Sequence, residues 1–114
     1  MAEVHDCFTP TELVLMEDLG LSERGTAWKD IEAGAFDLHG DLPVNSDGGL
    51  KSFGHPVGAS GLRMLYEAWL QLRGEAPEER RISTYGARSL ALTHNLGGYP
   101  GEMVSFVGIV GTAT

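Results

Sequence analysis

Apolar positions follow a helical period over most of the chain and a strand-like period near its end. Thr9 before Pro10, with Glu12 three residues on, reads as a capping box, and it predicts a helix over Pro10–Leu19 stopped by Gly20. Ser22–Ala33 predicts a shorter helix ending at Gly34, and Ala35–Val44 an irregular segment with a turn at His39-Gly40-Asp41. The loop Asn45-Ser46-Asp47-Gly48-Gly49 leads through Leu50-Lys51-Ser52-Phe53 to Gly54-His55-Pro56. From Gly58 the spacing is helical again: Leu62, Leu65, Trp69 and Leu72 form one stripe, and Gly74 stops it.

The charged segment Gly74–Arg81 predicts a surface loop. Two β-rich runs follow, Arg88–His94 and Glu102–Val110, with Asn95–Gly101 as their connection, which is short enough for antiparallel pairing. Helices followed by paired strands predict an α/β layer rather than a bundle. The stripe on the long helix and the run from Met103 to Val110 are expected to be core.

Composition narrows the function. At 114 residues the chain is read as one domain spanning 1–114. Sixteen acidic residues against eight basic ones give a formal charge of −8, which argues against nucleic acid or an anionic membrane as the main partner. Sixteen glycines, many of them clustered, imply close backbone approach at defined places. One cysteine, Cys7, excludes an internal disulfide framework. No apolar run reaches the roughly eighteen residues of a membrane span. The N-terminus has neither the basic start nor the apolar centre of a signal peptide, so a cytoplasmic location is expected.

Three polar clusters sit at loop positions, where a scaffold places reactive groups: His5-Asp6-Cys7, Gly54-His55-Pro56, and His94-Asn95 with Gly97-Gly98-Tyr99. Taken singly, a histidine is more often structural or solvated than catalytic. One cysteine and no His-x-x-x-His pair make a poor zinc ligand set, so no metal site is expected. A nucleophile pair of Cys7 with His55 or His94 satisfies the residue types, but spacing alone does not establish it.

The run Asn45–Arg63, NSDGGLKSFGHPVGASGLR, resembles the Gly-His-Pro segment of the thiolase superfamily, with its Asn, paired Gly, Gly-His-Pro and Gly-x-Ser-Gly elements in register. His5-Asp6-Cys7-Phe8 is similar to the HDCF signature of sterol-carrier-protein type thiolases, and THNLGGYPG resembles the glycine-rich loop that closes the thiolase site. The resemblance covers nearly the whole chain. It implies the C-terminal half of the thiolase fold, a layered α/β/α arrangement that is incomplete without its N-terminal half.

The resemblance also implies roles. His55 matches the histidine that activates the nucleophilic cysteine and helps to bind the thioester oxygen. His5 matches a position that usually holds an asparagine supporting the same oxyanion hole. Cys7 matches the acid/base cysteine of the sterol-carrier type, and Gly97 a backbone donor of a second oxyanion hole. The nucleophilic cysteine belongs to the other half, so the site is incomplete in this chain. Asn95 stands where ordinary thiolases carry a cysteine, and Tyr99-Pro100 replaces the usual glycine and small residue.

The ending HNLGGYPGE looks most like the lipid-transfer-protein-like retro-aldolases of actinobacterial steroid side-chain degradation. These cleave a β-hydroxyacyl-CoA into a steroid ketone and propionyl-CoA, and they work with a small OB-fold, zinc-ribbon partner protein. Retro-aldol cleavage needs a base, donors for the thioester enolate and a proton source, but no nucleophile. On that resemblance Tyr99 or Cys7 handles the proton. The alternatives are a sterol-carrier type thiolase and a non-catalytic lipid or acyl-CoA binding module. No covalently bound cofactor is expected, coenzyme A thioester being the substrate. Lys51 and Arg63 flank the Gly-His-Pro loop as candidate ligand contacts beside Asn95. The expected partners are the N-terminal half, which would cover an apolar patch left exposed here, and a second copy in a homodimer.

Overall fold

The computed structural model describes residues 1–82 and 90–112. A short strand β1 (Ala2–Glu3) is followed by helices α1 (Thr9–Asp18), α2 (Ala27–Glu32), α3 (Gly49–Phe53) and α4 (Ser60–Leu72) and by the long strands β2 (Leu90–Tyr99) and β3 (Glu102–Gly111). The sheet order is β1-β2-β3, with β1 parallel and β3 antiparallel to β2. This is the small α/β arrangement expected of a thiolase C-terminal half, and β1, too short to carry a periodic signal, was not predicted.

Strand alternation sorts the side chains into two layers. Ala2 and Val4 turn toward α1 and α2, where they form a core with Leu15, Met16 and Ala27, joined by Leu92 of β2. Glu3 turns the other way, toward Arg63 on α4. Asn95 of β2 faces α4 as well, where it packs against Gly61: a Cβ there would lie 3.0 Å from the Asn95 Nδ2.

Four sequence expectations are corrected in detail. Helix α1 starts at Thr9 with Phe8 as its cap residue and no side-chain cap, so the capping box does not form. The Glu12 carboxylate instead accepts a hydrogen bond from Asn45 Nδ2 at 3.2 Å, a long-range tie invisible to local pattern. Helix α2 is confined to Ala27–Glu32, because Gly25 with φ 81° breaks the run that begins at Ser22. The connection placed at Asn95–Gly101 shrinks to Pro100-Gly101, since the strand ladder continues to the pair Tyr99↔Glu102. The strand start at Arg88 lies outside the described residues.

The fourth correction concerns α4. Its buried residues are Ser60, Met64, Glu67, Ala68 and Gln71, whereas Leu62 is 68% and Trp69 47% exposed. The polar members of the buried face are satisfied locally. Glu67 pairs with Arg80 at 3.0 Å, and the Gln71 side chain accepts from Ile82 N–H and donates to Arg80 C=O. Leu62, Leu65 and Trp69 of the stripe predicted as core are therefore exposed and Leu72 half-buried, while Met103, Val104, Phe106, Val107 and Ile109 of β3 are exposed too. No helix among the described residues is long and apolar enough to cross a membrane.

Candidate active site

Two anchors bring the N-terminal polar segment against the loop before α4. Asn45, at φ 50°, accepts the Val4 N–H on its Oδ1 at 2.8 Å. Asp6 accepts the Leu50 N–H at 2.9 Å, so a carboxylate sits at the start of α3. Gly49 makes that approach possible: its φ is 63°, and any Cβ would collide with the Asp6 carboxylate. Neither Asn45 nor Asp6 was assigned a role from sequence, although both lie within the motifs that carry the resemblance.

These anchors set His5 beside His55. The two imidazoles meet edge to face, with centroids 4.8 Å apart and planes at 82°. His5 is buried, and its Nδ1 has no partner. Its pKa lies below the ordinary histidine value, chiefly because burial penalises the cation and secondly because His55 is adjacent; Asp6 and the Asn95 side chain oppose the shift. His5 is thus a neutral imidazole at pH 7. His55 is exposed, and its Nδ1 lies 2.7 Å from Ser60 Oγ at the first residue of α4.

Both histidines line an open cavity of about 740 Å³. Asn95, Gly97, Tyr99 and Phe106 of the β2–β3 hairpin form its other wall, and Ser60 and Gly61 its floor. Tyr99 is 78% exposed at its rim. Cys7 and Lys51 line a second cavity of about 360 Å³, which His55 also borders, so His55 is the residue shared by both.

Two candidate residues lie elsewhere. Arg63 does not line either cavity; its guanidinium is held between Glu3 and Asp47. His94 points to the opposite face of the sheet, into a groove against α1, with its Nε2 2.9 Å from Ser105 Oγ. Burial, and then the nearby His5, lower its pKa. His55 rather than His94 shares a cavity with Cys7. Among the described residues no group of three or more His, Cys, Asp or Glu side chains is placed to hold a metal ion.

The family model for the thiolase C-terminal domain-like family matches residues 1–108. The chain belongs to that family. It is 45% identical over 101 residues to an acetyl-CoA acetyltransferase of Methanothermobacter thermautotrophicus, covering 89% of this chain and 25% of that protein. It is 44% identical over 95 residues to sterol carrier protein 2 of Bos taurus, covering 83% of this chain and 17% of that protein. A non-specific lipid-transfer protein-like 2 of Caenorhabditis elegans is 36% identical over 95 residues, again 83% of this chain and 22% of the relative. The chain spans a quarter or less of the length of these relatives.

Proposed function

We propose that this chain is the C-terminal part of a thiolase-superfamily enzyme that forms or breaks the bond between the α and β carbons of an acyl-CoA. His5 and His55 hold the thioester oxygen as negative charge develops on it. The observation that carries this reading is the 4.8 Å contact of the two imidazoles at the wall of a cavity that Gly97 and Asn95 also line. A neutral His5 presents an N–H without introducing a fixed cation, and its burial strengthens that donor. Gly97 brings bare backbone to the same space.

In the acyltransferase form of this reaction, a cysteine supplied by the rest of the subunit attacks the β-carbonyl of a β-ketoacyl-CoA. The Cα–Cβ bond breaks, its electron pair becomes the enolate of the shorter acyl-CoA, and a proton from Cys7 completes it. Free coenzyme A then takes the acyl group from the cysteine. The name of the acetyltransferase relative supports this form.

Retro-aldol cleavage is the second reading, and Tyr99 at the cavity rim favours it. A base removes the β-hydroxyl proton, the Cα–Cβ bond breaks to give a ketone and the same enolate, and Tyr99 or Cys7 returns a proton to Cα. A steroid side-chain β-hydroxyacyl-CoA, yielding propionyl-CoA, is the substrate class for this form. A non-catalytic lipid or acyl-CoA carrier is the outcome if neither bond is cleaved.

Lys51, beside Cys7 and His55, is the ligand contact retained; Arg63 is committed to Glu3 and Asp47. An N-terminal thiolase half, on the same or a separate chain, is the partner assigned to the exposed faces of α4 and β3. A homodimer and an OB-fold, zinc-ribbon partner belong to the same proposal. The test is turnover of a β-ketoacyl-CoA and of a steroid β-hydroxyacyl-CoA, with and without free coenzyme A, by the protein together with the rest of its subunit. Consumption that requires coenzyme A establishes the acyltransferase, and ketone with propionyl-CoA in its absence the lyase. Silence in both overturns the enzymatic reading.

A further inference from the structure

Ser60 is buried at the first residue of α4, and its hydroxyl has two neighbours: His55 Nδ1 at 2.7 Å and the Pro56 carbonyl oxygen at 3.2 Å. A hydroxyl has one proton to give. The carbonyl can only accept, and a helical serine commonly returns its proton to the carbonyl four residues back. With Ser60 O–H given to Pro56 C=O, the 2.7 Å contact is a hydrogen bond from His55 Nδ1–H to Ser60 Oγ.

We propose that Ser60 is a positioning residue that fixes the neutral His55 ring in its Nδ1–H tautomer, leaving Nε2 with a free lone pair. This rests on the reading of His55 as the histidine at the reacting thioester. It adds the device that decides which nitrogen acts. An imidazole with an unprotonated Nε2 takes a proton from a thiol or hydroxyl first and presents Nε2–H to the thioester oxygen afterwards. The Nε2–H tautomer lacks the lone pair for that first step. Two further features hold the relay in place. The Pro56 carbonyl also accepts the Ala59 N–H at 3.0 Å and the Ser60 N–H at 3.2 Å, so the turn that carries His55 is tied to the start of α4. His5 packs edge to face against the same ring, 4.8 Å between centroids.

The test is a long-range ¹H–¹⁵N NMR spectrum of the histidine side chains in the whole protein, recorded at about pH 8 or above, where histidine is ordinarily neutral. His55 is expected to show a protonated Nδ1 and an unprotonated Nε2. In Ser60→Ala the pattern is expected to reverse, and in Ser60→Thr, which keeps the hydroxyl, to persist. In turnover assays Ser60→Ala is expected to lower kcat by about tenfold or more with KM little changed, with recovery in Ser60→Thr. A wild-type ring protonated on Nε2, or a Ser60→Ala ring with the wild-type pattern, overturns the proposal. The wild-type spectrum decides even if Ser60→Ala does not fold. Because the spectrum reads the tautomer without substrate, its outcome is independent of which reaction the enzyme performs.

Discussion

Glu3 of β1 and Arg63 of α4 meet across the buried seam between sheet and helix, with Arg63 NH1 3.5 Å from Glu3 Oε2. The pair does not keep the carboxylate acidic. Burial is the largest influence on Glu3, Asp47 and Glu67 add negative charge, and together they outweigh Arg63 and the Ser46 N–H and push its pKa to about 8. Glu3 adjoins Val4 and His5, so this seam bears on the site as well as on stability.

A folded-state value above the unfolded one means that the native chain holds a proton that the unfolded chain has released. Stability from Glu3 is therefore complete below about pH 4.5 and is lost as pH rises through about 8. His5 and His94 have lowered values, so their contribution is present above about 6.5 and is lost as pH falls through their folded values. Across pH 6.5–8 urea denaturation reads Glu3 against the Met1 amine, whose pKa burial lowers and whose contribution therefore runs the other way. Wild type is expected to lose on the order of 1–2 kcal/mol relative to Glu3→Gln over that window. Equal slopes would count against the buried acid.

His55→Ala is expected to reduce turnover by about 10²–10³, the usual cost of removing one donor to a developing oxyanion. His5→Ala is expected to lower turnover as well, His5 being the second donor to the same oxygen. Initial rates at saturating and at low substrate check both, and His94→Ala, on the far face of the sheet, serves as the comparison.

Tyr99→Phe separates the two reaction forms. In the lyase the loss of the phenol proton is expected to lower retro-aldol turnover by about 10²–10⁴ while binding of the CoA ester persists. In the acyltransferase the same change is expected to leave thiolysis within a few-fold of wild type. Unchanged turnover of a β-hydroxyacyl-CoA would remove Tyr99 from the mechanism.

Gly49→Ala places a methyl group against the Asp6 carboxylate at a backbone φ of 63°. It is expected to destabilise the chain by about 1–3 kcal/mol and to loosen the His5–His55 contact. Thermal unfolding checks the first effect and the linewidths of the two imidazoles the second. A silent substitution would show that the Asp6 anchor does not hold the site.

The exposed faces of α4 and β3 are expected to become protected when the rest of the subunit is present. Hydrogen exchange of the chain alone and of the subunit reads this directly. Protection of the Val104–Ile109 amides that does not change would contradict the assignment of the N-terminal half to this surface.

Much of the candidate site could be named from sequence because its residues lie in short contiguous motifs: His5 with Cys7, His55 with Pro56, and Gly97 with Tyr99 each carry a local signal. What tied those motifs together was not legible. Asn45 reaches Val4 and Glu12, and Asp6 reaches Leu50, through contacts that leave no periodicity behind. The long helix misled for a different reason. Its apolar stripe marks a face that the described chain leaves uncovered, while Glu67 and Gln71 are buried because Arg80 and Ile82 answer their polar atoms. Arg63 looked available as a ligand contact until Glu3, sixty residues away along the chain, came to lie beside it.

The central claim is that His5 and His55 stabilise a thioester enolate, a step common to both reaction forms. Exchange of the α-protons of acetyl-CoA and propionyl-CoA in D2O, followed by NMR or mass spectrometry, measures that step alone. The subunit is expected to incorporate deuterium at Cα, and His55→Ala to lose that exchange by about 10²-fold or more. No exchange above the uncatalysed rate with either thioester, or exchange undiminished in His55→Ala, would contradict the account.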